Sequence, residues 1–242
     1  MRRIALTVCT CDNRYLDVLK VFLYTWKLHN GEDVPIWAAL YNGNQGIFDG
    51  LRRMYGNLTI CDRELPARNW EVDPNLIEIM YQRVHDVRAA LSEPWDQVMH
   101  IDCDVIIRRN IDHIWDGVEP NTIKIWDRGV KREKQGRARY QAGVHIFGNG
   151  TGTRLYYDYW MRKIGDGWEF HDGQRQMYFA VQECGDAIHR VQLPIEYNDL
   201  NYGDNSAIWH CRHTHLDRDQ KYRDEFNRLL PAAQKAYEGA TC

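Results

Sequence analysis

The amino-acid sequence predicts an α/β fold, in which a mixed, mostly parallel β-sheet carries helices on both of its faces. Short apolar runs alternate with stretches of helical periodicity through the first hundred residues, and this alternation is typical of parallel sheets. The 242 residues are 44% hydrophobic and 27% charged, which is close to the average of globular proteins. A chain of this length can bury one substantial core, so we expect a single domain over residues 1–242.

Four strands and three helices are predicted in the first half of the chain. Asn30-Gly31 is typical of a helix end, and Asp73 followed by Pro74 is typical of a helix start. Pro94 is expected to end the helix that Pro74 begins. In chain order, we predict strand 4–8, helix 15–28, strand 34–41, helix 47–55, strand 58–61, the helix that begins at Pro74, and strand 98–101.

The second half of the chain is less regular. We predict strands over 122–126, 144–147 and 207–210, and helices over roughly 151–164, 172–183 and 219–238. The basic segment, residues 128–139, contains six Lys or Arg residues in twelve. We expect a solvated, mobile loop there, or alternatively a surface that binds an anionic acceptor.

Charge and cysteine usage exclude several classes of protein. The net charge of −3 creates no global attraction to nucleic acid or to anionic membranes. No run approaches the roughly 18 apolar residues that a membrane span needs, and residues 1–9 turn polar too soon for a signal peptide. Seven scattered cysteines do not resemble a secreted disulfide scaffold. We therefore expect reduced thiols and a cytoplasmic protein.

Two carboxylates, Asp102 and Asp104, follow the predicted strand 98–101. They can reach one hard cation, Mg²⁺ or Mn²⁺, if the backbone turns at this point. Apolar runs lie on both sides of them, where unpaired carboxylates would be costly. A second Asp-x-Asp triplet, residues 217–219, is expected only to begin the last helix. Since ligands bind beyond the carboxyl ends of parallel strands, we expect residues 10–13, which follow the first strand, to lie close to Asp102 and Asp104.

His210 ends the predicted strand 207–210 and is our candidate for a nitrogen ligand. The residues that follow it, Cys211, His213 and His215, are spaced to chelate together. They support a rival hypothesis of a non-enzymatic zinc-binding module. Ordinary surface histidines are the third interpretation.

Two further features have both a functional and a structural interpretation. Ala142 and Gly143 precede an apolar run, where small residues allow a ligand to approach the backbone or simply form a tight turn. Asp172 stands at a predicted helix start, where an aspartate suits an N-cap as well as it suits catalysis.

In their order and spacing, these features resemble nucleotide-sugar glycosyltransferases of the GT-A fold, nearest to family 8, the glycogenin and bacterial galactosyltransferase group. The resemblance spans roughly residues 2–215. It rests on Thr7 and Thr10, Arg83, residues 100–105, residues 141–144, Asp172 with Gln174, Leu193-Pro194 with Tyr197-Asn198, and residues 208–210. It implies a Rossmann-like domain with a nucleotide-binding half (1–107), an acceptor half (108–215) and a C-terminal helix (216–242).

The resemblance also implies an activity and a set of site residues. It implies transfer of a hexose from a nucleoside-diphosphate sugar to a hydroxyl acceptor, with retention of configuration and with Mn²⁺ or Mg²⁺ as cofactor. Asp102, Asp104 and His210 would bind the metal. Thr10, Asp12, Tyr15, Arg83, Asp102, Ala142 and Gly143 would bind the donor. Asp172 and Gln174 would be catalytic, either by orienting the donor sugar or by stabilising an oxocarbenium-like transition state. Arg212, Arg218 or Lys221 would replace the lysine with which the family grips the diphosphate.

Three other functions stay open beside this one. A glycosyltransferase that acts on modified DNA bases would use the basic segment to bind an anionic acceptor. A nucleotidyltransferase on a similar sheet would normally carry a Gly-rich loop with a Lys after the first strand, and residues 9–15 contain neither. The third is the zinc-binding module described above.

Overall fold

A computed structural model describes residues 1–63, 74–135, 138–165, 173–211 and 219–239. Within these ranges the chain forms nine strands and seven α-helices. The strands are β1 (Arg3–Thr10), β2 (Ile36–Tyr41), β3 (Leu58–Arg63), β4 (Gln97–Ile101), β5 (Val105–Ile107), β6 (Thr122–Asp127), β7 (Tyr140–Gly148), β8 (His189–Gln192) and β9 (Ile208–His210). The helices are α1 (Asn13–Asn30), α2 (Gln45–Met54), α3 (Pro74–Ala90), α4 (Val130–Lys134), α5 (Thr151–Gly165), α6 (Gly173–Cys184) and α7 (Gln220–Glu238).

Seven of these strands form one sheet, in the order β3-β2-β1-β4-β7-β6-β8. The pairs β1–β4, β2–β3 and β6–β8 are parallel, whereas β7 runs antiparallel to β6. The remaining strands, β5 and β9, form a separate antiparallel pair. The predicted α/β class, with a mixed and mostly parallel sheet, is confirmed.

The chain divides into two compact units, each built from three segments. The first unit comprises Met1–Leu6, Leu65–His100 and Trp115–Pro194, and the second comprises Thr7–Glu64, Ile101–Ile114 and Ile195–Cys242. The boundaries at residues 107 and 215 that the resemblance implies stay predictions.

The first unit has an aromatic core between β7 and α5. Phe147, Tyr156, Tyr157 and Trp160 are each at most 2% exposed. The ring of Tyr157 lies 5.0 Å from that of Phe147 and 5.2 Å from that of Tyr156, in edge-to-face geometry in both cases. Such pairs contribute about 0.5–1.5 kcal/mol each beyond the burial of their area, so this cluster attaches α5 firmly to the sheet.

Helix α1 is the central element of the second unit. Leu19, Phe22, Leu23 and Trp26 recur at helical spacing and are all at most 1% exposed, which confirms the apolar face predicted for this helix. Gly31 follows the helix with a φ of 70°, in the left-handed region that glycine enters without strain.

Three elements were not predicted. The polar sequence of β8 does not show the alternation of a half-buried strand, because the strand lies at the sheet edge with only Val191 partly covered. The sequence of β5 predicts only an apolar run. Helix α4 forms within the basic segment, where a loop was expected, since Lys, Arg and Glu are good helix formers. The Arg128 N–H donates to the Arg139 carbonyl at 2.9 Å and closes this segment.

None of the described helices combines the length and the apolar character that a membrane span requires.

Candidate metal centre

Three predicted metal ligands come together in the second unit. The Nε2 atom of His210 lies 3.4 Å from Oδ2 of Asp102 and 3.2 Å from Oδ1 of Asp104. One ligand atom from each of the three side chains lies within 4.8 Å of the others. The His210 side chain is only 6% exposed, whereas the two carboxylates are 25% and 22% exposed. The cluster therefore has a buried side and a side open to solvent.

Strand pairing brings residues together that are about a hundred positions apart in sequence. In the antiparallel pair of β5 and β9, Val105 stands opposite His210, so that Asp104 is adjacent to the histidine. The Asp104 carbonyl accepts hydrogen bonds from the Cys211 N–H at 3.0 Å and from the Tyr222 hydroxyl at 3.0 Å. The backbone that carries this carboxylate is thus held from two directions.

The imidazole of His210 is oriented by Asn198. Nδ1 lies 2.8 Å from Oδ1 of Asn198, which is fully buried. When Nδ1–H donates to that oxygen, Nε2 is the ring nitrogen that faces the carboxylates, and it can offer its lone pair to an ion that displaces its proton. Burial lowers the pKa of His210, but the carboxylates of Asp104 and Asp102 outweigh this effect and raise the pKa to about 10.

The donor set fits a divalent cation. Two carboxylate oxygens and one imidazole nitrogen suit Mn²⁺, which accepts nitrogen together with oxygen, better than Mg²⁺, which prefers oxygen alone. The hydrogen bond from Asn198 supplies the outer-shell partner that a ligating histidine almost always has. Asp102, Asp104 and His210 are the residues that would hold the ion.

The end of β1 carries a second polar group in the same unit. The Thr10 hydroxyl donates to Oδ2 of Asp12 at 2.8 Å, and Asn42 Nδ2 lies 3.4 Å from both Asp12 oxygens. A hydrogen bond with the Cys9 thiol, together with burial, raises the pKa of Cys103 well above its usual value. That contact places Cys9 of β1 beside the Asp102–Asp104 turn, and the expected proximity of residues 10–13 to the two carboxylates stays a prediction.

The other predicted site residues are divided between the two units, and some lie outside the described ranges. Arg83 is a buried residue of α3, and Ala142 and Gly143 are buried within β7. The two small residues are part of a strand, not of a turn, which removes the tight-turn interpretation. Tyr15 lies in the first turn of α1, with its N–H bonded to the Asp12 carbonyl at 2.8 Å.

Several predictions fall on residues that the structure does not describe. These are Asp172, the Gln174 side chain, and the segment that carries Arg212, His213, His215 and Arg218. Lys221, the remaining candidate for the diphosphate grip, forms an ion pair with Asp204 at 2.7 Å.

Sequence reasoning missed two residues of this region, Asn42 and Tyr222, and it assigned no role to Asn198. Asn42 adopts a φ of 58° and reaches Asp12, Tyr222 holds the Asp104 backbone, and Asn198 orients His210. An Asn-Gly pair after a strand could have pointed to Asn42. The resemblance includes Tyr197-Asn198, but the role of Asn198 depends on its contact with His210, which no spacing in the sequence reveals.

The chain resembles solved structures in its fold but has no significant match at the level of sequence. No family model matches the chain, and no curated protein matches it significantly. The galactosyltransferase LgtC, solved with donor and acceptor sugar analogs, superimposes with a TM-score of 0.66 at 13% identity over 94% of this chain and 95% of LgtC.

Two further solved structures agree with this result. The glycosyltransferase GlyE of Streptococcus pneumoniae TIGR4 gives a TM-score of 0.65 at 12% identity, with 99% of this chain and 63% of GlyE covered. Mouse xyloside xylosyltransferase 1 gives 0.58 at 10% identity, with 88% and 98% covered. The chain therefore has the GT-A fold of these family 8-like glycosyltransferases, as the resemblance implied.

Proposed function

We propose that this protein is a metal-dependent glycosyltransferase that moves a sugar from a nucleoside-diphosphate sugar to a hydroxyl acceptor. The observation that carries the proposal is the cluster of Asp102, Asp104 and His210 within 4.8 Å, on a chain with the GT-A fold. Structural neighbours named as galactosyl- and xylosyltransferases support the reaction class.

In this proposal each part of the second unit has a defined task. Asp102, Asp104 and His210 hold a divalent ion, Mn²⁺ being the best match to their atoms. When bound, such an ion supplies Lewis-acid stabilisation of the charge on a departing diphosphate. Asn198 keeps the imidazole in its ligating orientation before the ion arrives, which lowers the ordering cost of binding.

The remaining assignments concern the donor. The nucleoside is bound by Thr10 at the end of β1 and by Asp12 and Tyr15, which follow it. Asn42 holds the Asp12 carboxylate in place. Arg83, Ala142 and Gly143 are assigned to the donor sugar and phosphates. Asp172 and Gln174 are assigned to catalysis. Retention of configuration and a cytoplasmic location belong to the same proposal and rest on the family resemblance and the cysteine pattern.

Thermal unfolding with a panel of nucleoside diphosphates, with and without Mn²⁺, tests the proposal. One diphosphate is expected to raise the melting temperature of the wild type only when Mn²⁺ is present. A ligand at a hundredfold excess over its Kd stabilises the native state by about 2.7 kcal/mol, which corresponds to roughly 5–10 °C for a chain of this size.

Two variants make the test specific. Asp104→Ala is expected to fold and to lose the Mn²⁺-dependent shift. Asp33→Ala, which removes an exposed carboxylate of the same unit, is the matched control and is expected to keep it. If no diphosphate stabilises the wild type, or if Asp104→Ala responds like the wild type, the proposed function is wrong.

A further inference from the structure

The first unit contains a polar cavity that has no role in the proposed transfer. It has a volume of about 460 Å³ and lies along the edge strand β8. Its polar lining comes from Asp127, Arg139, Tyr140, Asp186, His189, Arg190 and Gln192. All of these residues belong to the first unit, and the volume lies within the range of small-molecule sites.

Two planar polar groups of this cavity are held in place by their neighbours. Nε of Arg139 lies 2.9 Å from both Asp127 oxygens, and its Nη2 lies 2.7 Å from Oδ2. The Gln192 amide accepts a hydrogen bond from the Asp127 N–H at 3.3 Å and donates one to the Leu193 carbonyl at 3.2 Å. Burial alone would raise the pKa of Asp127, but the hydrogen bond and the charge of Arg139 outweigh this effect and hold the pKa below its usual value. The carboxylate is therefore ionised at neutral pH.

Arg190 is the cation of the cavity that has hydrogen-bonding capacity to spare. Its guanidinium donates to the Tyr140 hydroxyl at 3.0 Å and, among the described residues, forms no ion pair. The side chain is exposed, and a guanidinium has five N–H donors in a fixed fork. The remaining donors can therefore exchange water for a ligand.

The charges of the lining balance. Asp127 and Asp186 oppose Arg139 and Arg190, so no net field selects a bare anion. The cavity presents hydrogen-bond donors and acceptors on planar side chains that are held in place. The backbone of the edge strand β8 lies beside them. Vicinal hydroxyl groups match this arrangement, because each hydroxyl both donates and accepts.

We propose that this cavity is a second carbohydrate site, which binds a hydroxyl-rich saccharide segment with Arg190 as its main donor. The inference goes beyond the proposed function, because it requires neither the metal centre nor sugar transfer. It predicts that the protein binds glycans, and that this binding persists when substitution of Asp104 abolishes the response to nucleotide and Mn²⁺. Pre-organised groups favour such binding because little side-chain freedom is lost on contact.

The test is binding of the labelled full chain to an array of immobilised neutral and acidic oligosaccharides, in the presence of a chelator and without nucleotide. The wild type is expected to bind at least one group of related glycans, and Arg190→Ala to lose about tenfold or more of that affinity. Arg162→Ala, which removes an exposed arginine of α5 in the same unit, is the matched control and is expected to bind like the wild type.

A third variant separates this inference from the proposed function. Asp104→Ala is expected to keep its glycan binding even though it loses the response to nucleotide and Mn²⁺. The inference is overturned if the wild type binds no glycan, if Arg190→Ala binds normally, or if Asp104→Ala loses binding. It is also overturned if excess inorganic phosphate displaces every bound glycan, because the cavity is then an anion site.

Discussion

At the scale of single residues, the orientation of His210 is the property on which the candidate metal centre depends. An imidazole that rotates freely must be ordered by the incoming ion, at a cost in affinity. Here the ring is buried, and its Nδ1 is bonded to Asn198 Oδ1 at 2.8 Å. The hydrogen bond keeps a proton on Nδ1, so that Nε2 is the nitrogen that binds an ion once the ion displaces its proton.

Replacing Asn198 by Ala is therefore expected to weaken Mn²⁺ binding about 10- to 100-fold, measured by isothermal titration calorimetry. Asn198→Asp keeps an acceptor oxygen at this position and is expected to recover most of the affinity. Asn57→Ala, an exposed asparagine of the same unit, serves as the control. Equal affinity in a folded Asn198→Ala protein would show that the ring needs no positioning partner.

At the scale of elements, the contact between α1 and β5 joins the core of the second unit to the turn that carries Asp102 and Asp104. Strand β5 pairs with β9 along one edge. On its other edge the Ile107 N–H donates to the Thr25 hydroxyl at 3.2 Å, and this hydroxyl itself donates to the Val21 carbonyl at 2.8 Å. Thr25 is 1% exposed, so water cannot replace it.

Thr25→Val preserves the shape of the side chain but leaves the Ile107 N–H without its acceptor. We expect the free energy of unfolding to fall by about 1–3 kcal/mol, measured by urea denaturation. Thr25→Ser, which retains the hydroxyl, is expected to keep more of the stability than Thr25→Val does. A Thr25→Val protein as stable as the wild type would mean that this strand edge contributes nothing.

The elements themselves were largely predictable, because their local signals agree with their environment. The apolar spacing of α1 predicts a helix with one buried face, and the structure buries that face. Pro74 begins α3 as predicted, because its fixed φ suits a first helical turn. Strand β8 is not predictable from its sequence, because an exposed edge strand needs no apolar alternation. Helix α4 is not predictable either, because a run of charges favours a solvated loop as much as a short helix.

At the scale of the whole molecule, the charge distribution opposes binding to nucleic acid. The net charge is −3. Two cations of the basic segment act within the fold: Arg128 donates to the Ala138 and Tyr140 carbonyls, and Arg139 pairs with Asp127. Fewer positive charges therefore face outward than the count of six suggests.

We accordingly expect no complex with duplex DNA in a mobility-shift assay at physiological salt. The assay would extend to protein concentrations of about 10 µM, which lie within the range where non-specific DNA-binding proteins bind. A complex that dissociates steeply as salt rises would contradict this expectation. It would favour the hypothesis of a glycosyltransferase that acts on modified DNA bases. Charge reversal of Lys131 and Lys134 would then locate the contact.

The sequence alone was sufficient to predict the α/β class and the order of most elements, and to single out Asp102, Asp104 and His210 as candidate ligands. These properties depend on local periodicity and on residue chemistry, which the linear order of the chain preserves. Only the tertiary structure decided that the three ligands meet, because the antiparallel pairing of β5 with β9 brings Asp104 and His210 together across a hundred residues. The roles of Asn198 and the cavity beside β8 likewise arise from contacts between distant segments, and such contacts leave no periodic trace in the sequence.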